Sequence, residues 1–324
     1  MFAITQKAAG GPETLEWTKV PDPRPEPGEV IIDVTATAVN RADILQRQGH
    51  YPPPPGASEV LGLECSGTIV SVGAALTLDR IGERVTALLP GGGYAQKVAV
   101  PVGQVMTVPE GVSLLDAGAL PEVACTVWSN LKWVLNLREG ESILIHGGGS
   151  GIGTMAIQVA KAMGAKVVVT AGSQAKLNTC AALGADVLIN YNDADFVEVV
   201  TKELGGVDAI LDNMGAAYFE RNIEALKRNG RMVIIGTQGG ATTEFNILQA
   251  LRKNVTVSAT SLRARPDNEK AAICREVEKV IWPWITDGTI KPIIDRIMPI
   301  EQAAAAQQLL ENGEATGKVV LQVR

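Results

Sequence analysis

Ten residues, HGGGSGIGTM (146–155), place five glycines around one serine directly after the apolar run ILI. Glycines at such spacing let a chain turn tightly and bring backbone N–H groups close to a phosphate. A helix that follows adds the positive end of its dipole. With Gly153 as the last glycine of a G-x-G-x-x-G fingerprint, the first is Gly148 and the middle position is Ser150. A second register, Gly151, Gly153 and Ala156, matches G-x-G-x-x-A literally. It lengthens the strand-to-helix loop by several residues, so the register through Ser150 is preferred. Either way the expected chemistry is capture of a dinucleotide pyrophosphate.

The residues after the next apolar run select among dinucleotides. A site for a free ribose 2′-OH places Asp or Glu there as a hydrogen-bond acceptor. Here VVVTAGSQAKLNT (167–179) contains no acid and offers Ser173 and Lys176. A carboxylate would repel a 2′-phosphate; its absence beside a lysine welcomes one. Tyr191 adds a hydroxyl just beyond the third apolar run, although Lys176 read alone is also compatible with a solvated helix lysine. The expected cofactor is NADPH.

Such a loop needs a sheet to carry it. From residue 141, strand-like runs at 141–146, 166–170, 186–189, 207–212, 231–236 and 254–260 alternate with helical stretches at 151–163, 174–183, 194–204, 216–228 and 244–252. In the first of these helices Ile152, Ala156, Val159, Ala160 and Met163 recur at three- and four-residue steps, forming one apolar stripe. Apolar strands joined by crossover helices predict a parallel sheet covered on both faces, α/β and doubly wound, in the order 3-2-1-4-5-6.

Before residue 120 the pattern is different. GEVIIDVTATAVN (28–40), SGTIVSVG (66–73), GERVTAL (82–88) and GYAQKVAVP (93–101) are rich in β-branched residues and bounded by Gly and Pro. SLLDAGALP adds a short helix capped by Ser113. The last sixty residues read as mixed, with a helix EQAAAAQQLLENG between Pro299 and Gly313 and a closing strand GKVVLQV. This strand is expected to complete the N-terminal β unit. The expected division is a β-rich catalytic domain over 1–122 and 263–324, with the nucleotide domain inserted over 123–262.

Composition excludes several classes. A 46% apolar and 20% charged chain of 324 residues has ample core for two domains. A net charge of -6 offers no basic footprint for nucleic acid. No apolar run is long enough to span a bilayer. MFAITQKAAGGPETLEW lacks the layout of a secretory signal, so the cytoplasm is the expected location. Four scattered cysteines and only two histidines, His50 and His146, suit neither a disulfide framework nor a zinc site.

The block NRADILQRQGHYPPPPGASEVLGLECSGTIVSVG (40–73), together with IHGGGSGIGT, TAGSQAKL and INY, resembles the zinc-independent quinone oxidoreductases of the medium-chain dehydrogenase/reductase superfamily. Within them it is most similar to the p53-inducible quinone oxidoreductase subgroup. The resemblance covers essentially the whole chain and implies a GroES-like domain joined to a Rossmann domain. Zinc alcohol dehydrogenases carry Gly-His-Glu, with the histidine on the metal, where this chain has Gly62-Leu63-Glu64. Loss of that Lewis acid makes alcohol oxidation an unfavourable reaction, whereas a quinone is already a good hydride or electron acceptor. The implied activity is NADPH-dependent quinone reduction, by hydride or by one-electron transfer, in an interdomain cleft.

The same resemblance assigns Asn40 and Tyr51 to the nicotinamide end and Thr126 to the nicotinamide or its phosphate. Ser150, Gly151, Ile152, Ser173, Lys176 and Tyr191 fall to the adenosine half and pyrophosphate. Asn213, Met214, Gly236 and Thr237 follow the fourth and fifth strands, and Leu262 and Arg263 line the cleft. In related enoyl thioester reductases a similar tyrosine donates a proton, which gives Tyr51 a second reading beside packing on the ribose. His146 reads as a brace more than an acid, Cys125 as a small hydrophobe more than a redox thiol, and Arg41 with Asp43 as a turn or surface pair. Some zinc-free relatives serve as structural or RNA-binding proteins, which the acidic composition disfavours here. The apolar edge run NVTVSAT predicts a homodimer or homotetramer by edge pairing.

Overall fold

The computed structural model describes residues 1–324. Alternating β-branched residues build the first unit, which comprises residues 1–125 and 262–324. Strands β1 (Phe2–Gln6) and β2 (Leu15–Lys19) form an antiparallel ribbon. Strand β3 (Glu29–Ala38) is the hub, with Val30, Ile32 and Val34 buried on one face at the two-residue period of a strand. Helix α1 (Arg41–Arg47) leads from it to β4 (Glu64–Val72), followed by β5 (Arg84–Leu88), β6 (Lys97–Pro101) and β7 (Val105–Thr107). β4 and β6 both pair antiparallel with β3. Helix α2 (Leu114–Ala117) starts at Ser113, whose hydroxyl accepts from the Asp116 N–H, and α3 (Pro121–Trp128) follows.

The second unit is residues 126–261. Its strands are β8 (Ser142–His146), β9 (Lys166–Ala171), β10 (Val187–Asn190), β11 (Val207–Asp212), β12 (Leu226–Ile234) and β13 (Thr256–Ala259). Helices α4 (Gly151–Ala162), α5 (Gln174–Ala182), α6 (Phe196–Leu204), α7 (Phe219–Ala225) and α8 (Ile247–Lys253) connect them. All pairings are parallel, in the order β10-β9-β8-β11-β12-β13. Counted along the chain this is 3-2-1-4-5-6, the order read from the alternation of apolar runs. The fourth helix is shorter than the expected 216–228. A 3-10 turn occupies Gly215–Tyr218, and Leu226 leaves the helix because it is buried in the core and pairs with Val207 on the sheet.

The chain then returns to the first unit through helix α9 (Asp267–Thr286), a twenty-residue element where the sequence suggested only a mixed pattern. Its buried residues Ile273, Cys274, Val277, Ile281 and Ile285 follow the helical period. Strand β14 (Ile294–Pro299), helix α10 (Ala303–Glu311) and β15 (Lys318–Gln322) close the chain. β15 pairs with both β14 and β3, so the first sheet runs β14-β15-β3-β4-β5-β7. No helix is long and apolar enough to cross a membrane.

Candidate functional site

In the second unit the loop between β8 and α4 is built by close approach. Gly147 turns the chain in the left-handed region (φ 69°), and its carbonyl accepts from the Ser150 N–H at 2.9 Å. A Cβ on Gly153 would lie 2.3 Å from the Gly147 oxygen and 2.6 Å from that of Gly148, so only glycine lets the helix start this close to the strand. The helix begins at Gly151, as the register ending in Gly153 requires. Ser150 is its N-cap: the hydroxyl oxygen accepts from the Gly153 N–H at 3.0 Å, and its carbonyl takes the Thr154 N–H at 2.8 Å. The N–H groups of Gly151 and Ile152 remain as the open donors of the first turn.

Around this turn stand the other residues singled out from the sequence. Ser173 caps α5, its hydroxyl accepting from the Lys176 N–H, and the Lys176 stem lies against Gly149. Tyr191 is exposed and packs its hydroxyl end over Gly172. The Asn213 side chain reaches Gly147, and its Oδ1 is buried with no partner. The backbone at Met214 is held by the Asp212 carboxylate, which accepts its N–H at 2.8 Å; burial raises that carboxyl to about 6. Gly236 abuts the Asn213 carbonyl, and Thr237 accepts from the Gly240 N–H. Thr126 is buried at the start of the unit, its carbonyl accepting from the Asn130 amide. Open helix N–H groups, a lysine stem beside them and an orphaned acceptor together fit a ligand bearing both phosphate and hydroxyl groups.

His146 serves as a brace below the loop. It bonds Thr170 Oγ1 through Nδ1 at 3.1 Å and Asn222 Oδ1 through Nε2 at 2.8 Å, with Phe196 and Tyr218 packed edge-on. Burial lowers it to about 4, so it is neutral near pH 7 and holds no proton to donate as imidazolium.

The first unit gathers a buried polar network. Lys318 Nζ donates to Glu64 Oε1 and to Asn40 Oδ1, both at 2.7 Å, and the Asn40 amide donates to the same Glu64 oxygen at 2.8 Å. Glu64 is 0% and Lys318 5% exposed. Asp43 is not the surface partner of Arg41 that its place in the sequence suggested. It is buried, and it accepts from the N–H groups of Asn40 and Gly62 and from the Tyr94 hydroxyl, while Arg41 is exposed. Those donors keep it in place even though burial raises its carboxyl to about 6. Arg263 is buried and clamps the Tyr51 loop. It donates to the carbonyls of Pro90 (2.7 Å) and Tyr51 (3.4 Å) and to Gln46 Oε1 (2.8 Å), and its guanidinium lies 5.3 Å from the Tyr51 ring. Leu262 is buried beside it. Cys125 is buried and burial pushes its thiol well up, in keeping with a packing role. Glu64 and Lys318 were missed in the sequence. Glu64 was legible only as the third residue of Gly62-Leu63-Glu64, and nothing marked Lys318.

Two family models match the chain: the alcohol dehydrogenase GroES-like domain over residues 26–110 and the zinc-binding dehydrogenase over 151–277. The second name sits beside a chain in which no group of three or more His, Cys, Asp or Glu side chains is placed to hold a metal ion. A solved NAD-dependent alcohol dehydrogenase is 31% identical and superposes with a TM-score of 0.88, each chain covered fully. The Escherichia coli quinone oxidoreductase solved with NADPH is 28% identical with a TM-score of 0.89, covering 99% of this chain and 100% of that one. The Sus scrofa quinone oxidoreductase is 28% identical over 99% of this chain and 97% of its own length. By contrast, the chain spans only 15% of a Mycobacterium tuberculosis mycocerosic acid synthase-like polyketide synthase, 27% identical over 98% of this chain.

The Glu64–Lys318 pair gives a stability prediction. Lys318→Met leaves a buried carboxylate uncompensated and is expected to destabilise the first unit by about 3–5 kcal/mol. Glu64→Leu/Lys318→Met is expected to recover part of that loss in denaturant titrations, because the unpaired charge is gone. A double variant no more stable than Lys318→Met would contradict this account of the pair.

Proposed function

The chain belongs to the medium-chain dehydrogenase/reductase superfamily, and from that premise we propose that it is an NADPH-dependent, zinc-independent reductase of quinones or related electrophilic acceptors, nearest to the p53-inducible quinone oxidoreductase subgroup. The observation that carries the cofactor reading is the corner after β9. It offers Ser173 and Lys176 and no carboxylate. The relative named for NAD dependence points the other way, but an acid that would favour a free 2′-OH is missing here. The NADPH complex of the Escherichia coli relative supports the same choice.

When bound, the nicotinamide supplies two electrons as hydride. The chain's own residues bind and orient. Gly151 and Ile152 present N–H groups to the pyrophosphate, and Ser150 holds the turn that aims them. Lys176, Ser173 and Tyr191 receive the 2′-phosphate, and the orphaned Asn213 Oδ1 accepts from a ribose hydroxyl. Thr126, Met214, Gly236 and Thr237 border the nicotinamide half. Asn40, Tyr51, Leu262 and Arg263 form the acceptor side.

The similarity to a segment of polyketide synthases supports a second reading, reduction of an activated alkene on a thioester with Tyr51 as proton donor. We also propose self-association through the second sheet. β13 is its edge strand, and the nearby helix α8 exposes Ile247, Leu248 and Leu251 at 58–69%. A second copy paired on that edge would cover this patch and make a homodimer or homotetramer.

Lys176→Ala is expected to weaken NADPH binding by roughly 10- to 100-fold, the scale of a charged hydrogen bond, and to leave NADH unchanged in titration calorimetry. Equal wild-type affinity for NADPH and NADH would contradict the 2′-phosphate reading. In a panel of ortho-quinones, para-quinones and an enoyl thioester, the quinones are expected to be turned over by wild type and by Tyr51→Phe alike. Thioester turnover alone, abolished in Tyr51→Phe, would select the second reading. Leu248→Glu/Leu251→Glu is expected to shift the mass measured by light scattering to that of a single chain. An unchanged oligomer in that variant would place the contact elsewhere.

A further inference from the structure

Asp212 is the last residue of β11, and its carbonyl accepts from the Ile235 N–H at 2.7 Å as part of the sheet. Its side chain serves the turn that follows. One carboxylate oxygen accepts from the Met214 N–H at 2.8 Å and the other from the Gly215 N–H at 3.1 Å. Gly215 allows so tight a turn because its φ is 71°. The carbonyls of the same turn are held from the other side. That of Asn213 accepts from the Gln238 N–H at 3.2 Å and that of Met214 from the Gly239 N–H at 2.7 Å. The backbone is thereby pinned through both its N–H and its carbonyl groups. The Asn213 side chain lies against Gly147 of the loop after β8, and its Oδ1 is buried without a partner.

A carboxylate suits this task by its count of acceptors. It takes two N–H donors on two oxygens and brings no donor of its own, whereas an amide of the same shape would set an NH2 group against one of them. Asp212 is 0% exposed, and an ionised carboxyl at that depth is unfavourable unless its bonds are made. Burial raises it to about 6, opposed by the Met214 and Gly215 N–H groups and more loosely by the amide of Asn222 on α7. The Asn222 Nδ2 makes no hydrogen bond of good geometry, while its Oδ1 takes the Nε2 side of neutral His146 at 2.8 Å. Tyr218, on the 3-10 turn, feels the Asp212 charge.

We propose that Asp212 is a positioning residue of the cofactor site, holding the 213–215 turn so that Asn213 Oδ1 meets a ribose hydroxyl beside the glycine loop. This inference rests on the cofactor reading above and adds the residue that acts through Asn213.

Calorimetric titration of NADP+, which is stable to acid, tests it in two arms. At pH 8, Asp212→Asn and Asn213→Ala are each expected to bind about tenfold more weakly than wild type, the scale of one hydrogen bond. The double variant is expected to bind no more weakly than either, because the two residues serve one contact. The second arm leaves Asp212 in place and follows wild type and Asn213→Ala from pH 8 to pH 5. The 2′-phosphate titrates alike for both proteins, so the ratio of their affinities isolates the turn. Asp212 is ionised above about 6 and loses its charge as pH falls, which removes one acceptor from the turn. The wild-type advantage is therefore expected to shrink toward unity at pH 5. A folded Asp212→Asn that binds like wild type, losses that multiply to about 100-fold in the double variant, or a ratio constant from pH 8 to pH 5 would overturn the proposal and leave the cofactor reading standing. A wild type that binds no NADP+ at any pH would remove the cofactor reading beneath it.

Discussion

Helix α4 starts so close to the loop after β8 that there is no room for a Cβ at Gly153. This approach fixes where the first turn points. It commits the Gly153 and Thr154 N–H groups to Ser150 and leaves those of Gly151 and Ile152 open at the carboxyl end of a central strand. His146, Thr170 and Asn222 brace the same strand end from beneath, with hydrogen bonds made by a neutral ring. Parallel strands on both sides then bring Lys176 and Asn213 to the rim of the turn. Open N–H donors follow from backbone packing, and the side chains around them are the ones the proposed NADPH site would use.

The first unit solves a different electrostatic problem. Glu64 has its charge balanced by Lys318 and its lone pairs taken by Asn40 and the Glu122 N–H. A buried carboxylate so fully bonded is a rigid post, and it fixes the ends of β3, β15 and α3 relative to one another within that unit. Its charge also adds to the burial that raises the neighbouring Glu122 carboxyl. One ion pair therefore has both a structural and an electrostatic consequence.

The alternation of apolar runs made the second sheet readable down to its strand order, because buried parallel strands and amphipathic crossover helices have distinct periods. The loop was readable as a tight glycine turn from strand to helix, but the work of Ser150 was not. Spacing placed it in a glycine position, whereas its hydroxyl oxygen caps the helix. Helix α9 carried a legible stripe at Ile273, Cys274, Val277, Ile281 and Ile285, obscured by the charged residues between them and by Pro283. Lys318 and Asp43 were beyond reach for a plainer reason. Lys318 meets Glu64 across 254 residues of chain, and Asp43 is buried by Tyr94 and Gly62, which no local pattern announces.

The central claim is that the second unit recognises a phosphate on the adenosine ribose. Isothermal titration with 2′,5′-ADP and with 5′-AMP, which lacks only the 2′-phosphate, addresses it without acceptor or turnover. The account predicts that 2′,5′-ADP binds at least about tenfold more tightly, the scale of one charge-assisted hydrogen bond. Equal affinities for the two nucleotides would contradict it.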